Sequence, residues 1–242
     1  MFLVINKRTI LITLGVLIFI PICLLGISQY HKDTPALADA KTVIIDAGHG
    51  GFDGGAVADN GVVEKDINLS IAKKLETILL KQGIAVIMTR SDDVALASSK
   101  AEDTRARVQL MKTHPEAIYV SVHCNKFGQS QYKGLQTFYS QNAKEGKLLG
   151  ECIQGAVKDL QPENKRESKV ADRSIYILKH APICATIVEC GFLSNSEDLK
   201  NLQDPLYQDN IADVISKGIN NFYSQLEKSK LPAVPEQPNI QE

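Results

Sequence analysis

Three short apolar runs of this sequence each lead into a residue that can do acid–base or metal chemistry. Lys41–Asp46 runs into a glycine-rich stretch that contains His49. Ala117–Val122 is followed by His123, and Ala185–Glu189 ends on a glutamate. Runs of β-branched and aliphatic residues of this length predict buried strands. Because ligand-binding groups of parallel sheets collect at the carboxyl ends of the strands, we expect these polar side chains to meet at one edge of a sheet.

Beyond residue 40, the sequence alternates between such runs and amphipathic helical patterns. The alternation predicts an α/β fold: one domain with a sheet covered by helices on both faces. The predicted strands are Lys41–Asp46, Ile84–Thr89, Ala117–Val122, Leu135–Tyr139 (antiparallel or at an edge), Ser174–Leu178 and Ala185–Glu189. The predicted helices are one from an N-cap at Asp66 to Gly83, then Glu102–Lys112, Lys144–Leu160 and Leu206–Leu226.

Composition excludes several functional classes. With 27 basic and 28 acidic residues, the formal net charge is −1, which gives no basis for nucleic-acid binding. Five cysteines in 242 residues do not form a disulfide scaffold. Hydrophobic residues make up 44% of the chain, enough for a packed core and too many for a disordered protein.

The first 28 residues predict a transmembrane signal anchor. Lys7 and Arg8 precede an uncharged run, Thr9–Ser28, that is long enough to cross a bilayer as a helix. The two basic residues favour a cytoplasmic N-terminus, which places the rest of the chain outside the membrane. A cleavable signal peptide is the alternative, since Ala38 and Ala40 offer an A-x-A pattern.

The rest of the chain divides into three predicted segments. Residues 29–40 are expected to be a short tether, and residues 41–228 a single folded domain. Residues 229–242 contain three prolines and are expected to be a disordered tail.

His49, Glu64 and His123 form a candidate zinc site. Zinc takes imidazole and carboxylate ligands, and two histidines plus one glutamate leave a fourth position for water. Zinc lowers the pKa of bound water to about 7 and polarises carbonyl oxygens. Glu189, a second carboxylate, could then transfer protons without binding the metal. The spacing matches no standard zinc motif, so the residues alone indicate only a metal hydrolase.

Structural roles remain open for each of these residues. The stretch after the first strand lacks the glycine order and the lysine of a phosphate-binding loop, which argues against a nucleotide site. His49 or His123 could simply end a strand as a polar residue with its hydrogen bonds satisfied. Glu64 could favour a helix dipole, and Glu189 could form a structural ion pair.

The other histidines and the cysteines are expected to have no role in the chemistry. His31, His114 and His180 fit loop or tether positions. Side chains alternate along a strand, so Cys124 and Cys190 should point away from the functional residues that precede them and pack as small apolar groups. A disulfide between these two cysteines is an open alternative.

Together, the motifs resemble those of the zinc-dependent N-acetylmuramoyl-L-alanine amidases of bacterial cell walls (cell-wall amidase type 3). The resemblance covers about Thr42 to Tyr223 and is carried by five segments, Ile45–Ala56, Glu64–Leu69, Met88–Arg90, Ser121–Asn125 and Val188–Asn195. It implies a mixed, mostly parallel sheet of about six strands. It also implies zinc ligation by His49, Glu64 and His123, with Glu189 as the catalytic carboxylate.

A closer resemblance is to the germination-specific amidases of spore-forming bacteria. The short chain, the N-terminal anchor and the segment Ala101–Arg107 carry it. It implies removal of peptide side chains from the spore cortex ahead of muramic-δ-lactam formation. The catalytic domain would then lie outside the cytoplasm, on the cell-wall side or between mother cell and forespore. An accessory protein partner is a further implication, whereas nucleic acid is not an expected partner.

Hydrolysis of the amide between the muramic acid lactyl group and L-alanine is the expected reaction, with peptidoglycan as substrate. Asn125 and the backbone of Gly50–Gly55 are candidate rim contacts. Arg90, Arg107 and Arg173 could meet substrate carboxylates, although surface salt bridges are the favoured interpretation. Two alternatives remain: a membrane-tethered, non-catalytic module that binds peptidoglycan or a partner, and another zinc hydrolase, such as a carboxypeptidase or deacetylase.

Overall fold

The computed structural model describes residues 41–230, which lie within one compact unit. The predicted anchor (1–28), the tether (29–40) and residues 231–242 of the predicted tail lie outside the described residues. Within residues 41–230, no helix is long and apolar enough to cross a membrane.

A six-stranded sheet forms the centre of the domain. Its strands are β1 (Thr42–Ala47), β2 (Ala85–Met88), β3 (Ile118–Asn125), β4 (Gln136–Tyr139), β5 (Lys169–Val170) and β6 (Ala185–Phe192), in the spatial order β2-β1-β3-β6-β4-β5. Strands β2, β1, β3 and β6 are parallel, β4 is antiparallel to β6, and β5 is parallel to β4. The expected mixed, mostly parallel sheet is therefore confirmed.

Helices cover both faces of this sheet, as the alternating pattern predicts. The helices are α1 (Glu64–Lys81), α2 (Lys100–Thr113), α3 (Gly146–Ala156), α4 (Tyr176–His180), α5 (Ser196–Leu202) and α6 (Pro205–Lys230). The larger core packs one face against α1, α3, α5 and α6. The smaller core packs the other face against α2 and α4.

Strand β1 shows how the sheet is buried on both sides. All six of its residues are buried. Val43, Ile45 and Ala47 pack into the larger core, and Ile44 packs into the smaller one. Asp46 alternates with them and so lies on the same face as Ile44. A continuous apolar run with one charged residue thus places a carboxylate inside the domain, beneath the carboxyl end of the sheet.

Strands β3 and β6 are longer than predicted, and the extension determines where the site lies. β3 continues to Asn125 and β6 to Phe192, so His123 and Glu189 lie within paired strands and face each other in register. Cys124 and Cys190 are buried in the larger core with free thiols, as expected.

Two local predictions are wrong. Ser174–Leu178 is not a strand, because helix α4 begins at Tyr176 and turns Leu178 into the smaller core. A five-residue apolar run does not distinguish a short helix from a strand. Asp66 is not the N-cap of α1, since the helix begins at Glu64. The carbonyls of Ala56 and Gly54 accept the first helical N–H groups and replace a capping side chain.

The sequence interpretation also omitted two short elements and ended one helix early. Strand β5 has two residues and helix α5 has seven, so neither is long enough to show a clear hydrophobic period. Helix α6 continues to Lys230. The first two residues of the tail that was predicted to be disordered, Ser229 and Lys230, are therefore helical.

Two helical glycines provide a matched test of this packing. A Cβ at Gly218 of α6 would lie 2.4 Å from Ile153 Cα of α3, whereas a Cβ at Gly155 of α3 would meet nothing within 4 Å. We expect Gly218→Ala to lower the free energy of unfolding by about 1–3 kcal/mol through overpacking. Gly155→Ala should raise it by up to about 1 kcal/mol through helix propensity. Urea unfolding measures both, and equal effects would contradict the close helix crossing.

Candidate active site

The glycine-rich loop after β1 wraps closely around two side chains. A Cβ at Gly48 would lie 2.3 Å from the ring of His123, and one at Gly55 would lie 2.5 Å from Glu64 Oε2. Glycine at these two positions lets the backbone approach the site. Between them, His49 adopts a φ of 62°, in the left-handed region that non-glycine residues rarely occupy. The loop therefore turns the His49 ring back towards the sheet.

His49, Glu64 and His123 come together at the carboxyl end of the sheet. Glu64 Oε1 lies 2.9 Å from His123 Nδ1, and Glu64 Oε2 lies 3.2 Å from His49 Nε2. One candidate ligand atom from each of the three residues lies within 4.8 Å of the others. Two imidazole nitrogens and a carboxylate converging in this way can hold a metal ion.

Neighbouring groups fix the orientation of these three side chains. Asp53 Oδ2 lies 2.9 Å from His49 Nδ1, which leaves His49 Nε2 facing the cluster. The backbone N–H of Ala56 donates to Glu64 Oε2 at 2.8 Å, and Asn68 Nδ2 donates to Glu64 Oε1 at 3.1 Å. Such outer contacts set the ring orientation and tautomer of a ligand. The orienting role of Asp53 was not predicted, although it lies in the glycine-rich motif.

The cluster keeps its carboxylate ionised. Burial alone would raise the pKa of Glu64, but hydrogen bonds with His123 and His49 outweigh it and hold that pKa far below its usual range. Burial alone would lower the pKa of His123, but its hydrogen bond and charge interaction with Glu64 raise it to about 9. Glu64 therefore presents a full negative charge to whatever binds between the rings.

Glu189 has a different environment on the next strand. It is the register partner of His123, yet its Oε2 is buried and has no hydrogen-bond partner among residues 41–230. Burial raises the pKa of this carboxyl to about 7. A carboxyl group that is unpaired and titrates near neutrality can both accept and return a proton.

A buried ion pair lies beneath the loop. Arg107 binds Asp46 and Asp103, and its Nη2 donates to the carbonyl of His49 at 2.8 Å. Tyr119 and Ser121 donate to Asp46 Oδ2 at 2.5 and 2.6 Å. Burial alone would raise the pKa of Asp46, but Arg107 and the two hydroxyls lower it to about 2.

Arg90 adds a second buried cation under the same loop. Its Nε donates to the carbonyl of Ala47 at 2.9 Å, and its Nη2 donates to that of Gly48 at 3.0 Å. Arg90 and Arg107 are each only 3% exposed, so the favoured interpretation of both as surface salt bridges is wrong. They hold the loop that carries His49 instead. Arg173 is exposed.

The remaining predicted residues lie at the rim or away from the site. Asn125 ends β3, and its carbonyl accepts a hydrogen bond from Leu193 at 2.7 Å. His114 lies 3.5 Å from Glu116 beside the amino end of β3, and exposed His180 contacts the carbonyl of Tyr176. His31 lies outside the described residues.

Comparisons with known proteins show which family the chain resembles. A family model described as N-acetylmuramoyl-L-alanine amidase matches residues 43–221. The chain is 34% identical over 193 residues to the germination-specific N-acetylmuramoyl-L-alanine amidase of Bacillus subtilis (strain 168), a match that covers 76% of this chain and 81% of that protein.

Solved structures give the same likeness. The CwlD amidase from Clostridioides difficile, solved in complex with the GerS lipoprotein, is 40% identical with a TM-score of 0.73, covering 76% of this chain and 99% of that one. The catalytic domain of CwlV, an amidase from Bacillus (Paenibacillus) polymyxa var. colistinus, is 28% identical with a TM-score of 0.67, covering 76% and 98%.

The buried ion pair yields a stability prediction. Asp46→Ala leaves the guanidinium of Arg107 buried with one partner fewer, and removing one partner of a buried pair costs about 3–5 kcal/mol. The control is Asp209→Ala, which breaks the exposed pair with Lys74 and should cost about 1 kcal/mol or less. Urea unfolding free energies measure both. A cost for Asp46→Ala no larger than the control's would contradict the role given to the pair.

Proposed function

The chain belongs to the N-acetylmuramoyl-L-alanine amidase family. We propose that it hydrolyses an amide bond of the cell wall with a zinc ion held by His49, Glu64 and His123. The observation that carries this proposal is the convergence of three candidate ligand atoms within 4.8 Å of one another. Two imidazole nitrogens and one carboxylate oxygen fit zinc, and they leave a position for water.

The unpaired oxygen of Glu189 supports the same assignment. A buried carboxylate oxygen without a hydrogen-bond partner costs free energy. Its position beside the three candidate ligands therefore favours a role in which the oxygen contacts the reacting water. Asp53 would orient His49, and Asn68 would orient Glu64, towards the ion.

The proposed reaction is hydrolysis of the bond between the muramic acid lactyl carbonyl and the nitrogen of L-alanine. Zinc, when bound, lowers the pKa of water to about 7 and polarises a carbonyl oxygen. Glu189 accepts a proton from the attacking water while the water oxygen bonds to the carbonyl carbon. The same carboxyl then donates that proton to the nitrogen as the C–N bond breaks. A free lactyl carboxyl group and a peptide that begins with L-alanine result.

We further propose that the substrate is spore-cortex peptidoglycan, from which the enzyme removes peptides ahead of muramic-δ-lactam formation. Support comes from the likeness to the germination-specific amidase of Bacillus subtilis and to CwlD. Since that CwlD structure includes a lipoprotein, an accessory protein is also proposed as a partner of this chain. Residues 1–28 are proposed to anchor the domain on the outer side of the membrane.

The metal assignment predicts a selective loss of zinc. His49→Ala and His123→Ala should each lose most of the zinc that the purified full chain binds, because each removes one of three ligands. His114→Ala, at the other end of β3, should keep about one zinc per chain. Metal analysis after zinc loading and dialysis measures this. Unchanged zinc in either ligand variant would overturn the assignment.

The acid–base assignment predicts a loss of rate without a loss of metal. Glu189→Gln should lower kcat by about 10²–10⁴-fold, the usual contribution of a general acid–base group, and leave the zinc content unchanged. The control Glu116→Gln changes an exposed glutamate before β3 and should leave kcat unaltered. Release of peptides beginning with L-alanine from purified peptidoglycan gives the rates. Wild-type turnover in Glu189→Gln would remove its assigned role.

A further inference from the structure

A row of side chains crosses the sheet beside the site. Glu189 of β6 is the register partner of His123 on β3 and of Gln136 on β4. Residues that pair across strands project from the same face of a sheet. Neighbouring strands lie about 4.8 Å apart, so the row extends about 10 Å from His123 to Gln136. Glu189 therefore lies between the candidate metal ligands and strand β4.

The guanidinium of Arg166 continues this row past Gln136. Arg166 Nη1 donates to Gln136 Oε1 at 2.7 Å, and Arg166 Nε donates to the carbonyl of Lys133 at 2.8 Å. The guanidinium carbon lies 4.7 Å from the centre of the Phe192 ring. The ring of Phe192 packs in turn against Tyr132, with 6.5 Å between their centres. These contacts fix the plane of the guanidinium.

Most of the hydrogen-bonding capacity of this guanidinium is still open. Two of its five N–H groups are used, and Nη2 has no partner within residues 41–230. Arg166 is partly exposed and forms no ion pair among these residues, whereas Arg107 is paired with Asp46 and Asp103. Of the nearby acids, Glu197 binds Lys133, and Asp198 accepts the N–H groups of Gly134 and Phe192. The charge of Asp198 interacts with Arg166, but neither Asp198 nor Glu163 on the same cavity forms an ion pair with it. A fixed and unpaired guanidinium is suited to bind a carboxylate.

The position of Glu189 indicates which half of the substrate would reach Arg166. The proposed acid returns its proton to the leaving nitrogen, so that nitrogen must lie beside Glu189. The peptide that begins at this nitrogen then extends on the side of Glu189 away from His123, towards β4. An extended peptide rises about 3.3 Å per residue, so the residue after L-alanine spans about 3–7 Å from that nitrogen along this direction.

We propose that Arg166 is a specificity-determining residue that binds a carboxylate on the residue following L-alanine in the leaving peptide. This inference rests on the proposed amidase reaction and adds to it the recognition of an acidic peptide. Gln136, Lys133 and Phe192 hold the guanidinium in place. Recognition is then a property of the β4–β6 side of the site, separate from the metal ligands.

The test compares two small substrates that differ only in charge: N-acetylmuramoyl-L-alanyl-D-glutamate and its diamide. The zinc-loaded full chain should hydrolyse the diacid with a kcat/KM about 10–100-fold higher, as expected for a hydrogen-bonded charge pair. Arg166→Met should lower kcat/KM for the diacid to that of the diamide and leave the diamide value unchanged. Arg166→Lys should retain part of the preference. Lys165→Met, which removes a neighbouring exposed charge, should leave the preference unaltered.

A binding measurement separates this inference from the proposed reaction. In the Glu189→Gln background, calorimetry should give tighter binding of the diacid than of the diamide, and Arg166→Met should abolish the difference. If the wild type cleaves neither substrate but this difference is present, the proposed reaction fails and carboxylate recognition stands. Two results would overturn the role of Arg166 in recognition and leave it only a structural role. One is an equal loss of kcat/KM on both substrates in Arg166→Met, and the other is equal binding of both substrates in the Glu189→Gln background.

Discussion

The buried ion pair between Asp46 and Arg107 is the interaction on which the candidate site depends. It joins the end of β1 to helix α2 in a region without access to water, and Arg107 continues from it to the carbonyl of His49. His49 is thereby held with a φ of 62°, a conformation that costs free energy unless its surroundings enforce it. The position of one proposed ligand thus depends on charges buried one layer below it.

The site contains two carboxylates in opposite electrostatic environments. Glu64 is surrounded by donors and stays ionised, whereas Glu189 is buried without a partner and has its pKa raised to about 7. One carboxylate is suited to hold a cation and the other to carry a proton. Beyond Glu189, the guanidinium of Arg166 has N–H groups that remain available, so it can bind an anion on the same face of the sheet. Because these three groups follow one another across the sheet, the proposed reaction has a defined direction for the leaving peptide, from Glu189 towards Arg166.

The sequence was informative where chemistry coincides with strand ends, and less so elsewhere. His49, His123 and Glu189 could be found because each follows or ends an apolar run, and the sheet brings them together. Arg166 lies in a loop, and its contacts to Gln136 and Phe192 depend on the antiparallel pairing of β4, which no local pattern encodes. The Asp46–Arg107 pair was missed for the same reason, since 61 residues separate its partners. Long-range pairing of charges is fixed by the fold and not by spacing.

Product analysis on peptidoglycan distinguishes zinc-dependent amidase cleavage from any other hydrolysis of the same polymer. The full chain would be incubated with purified peptidoglycan as the zinc-loaded protein, after chelation, and after zinc is restored. We expect peptides with a free N-terminal L-alanine, together with muramic acid residues that have lost their peptides, and both only when zinc is present. Release of a C-terminal amino acid or of acetate instead, or the same products after complete zinc removal, would contradict this expectation.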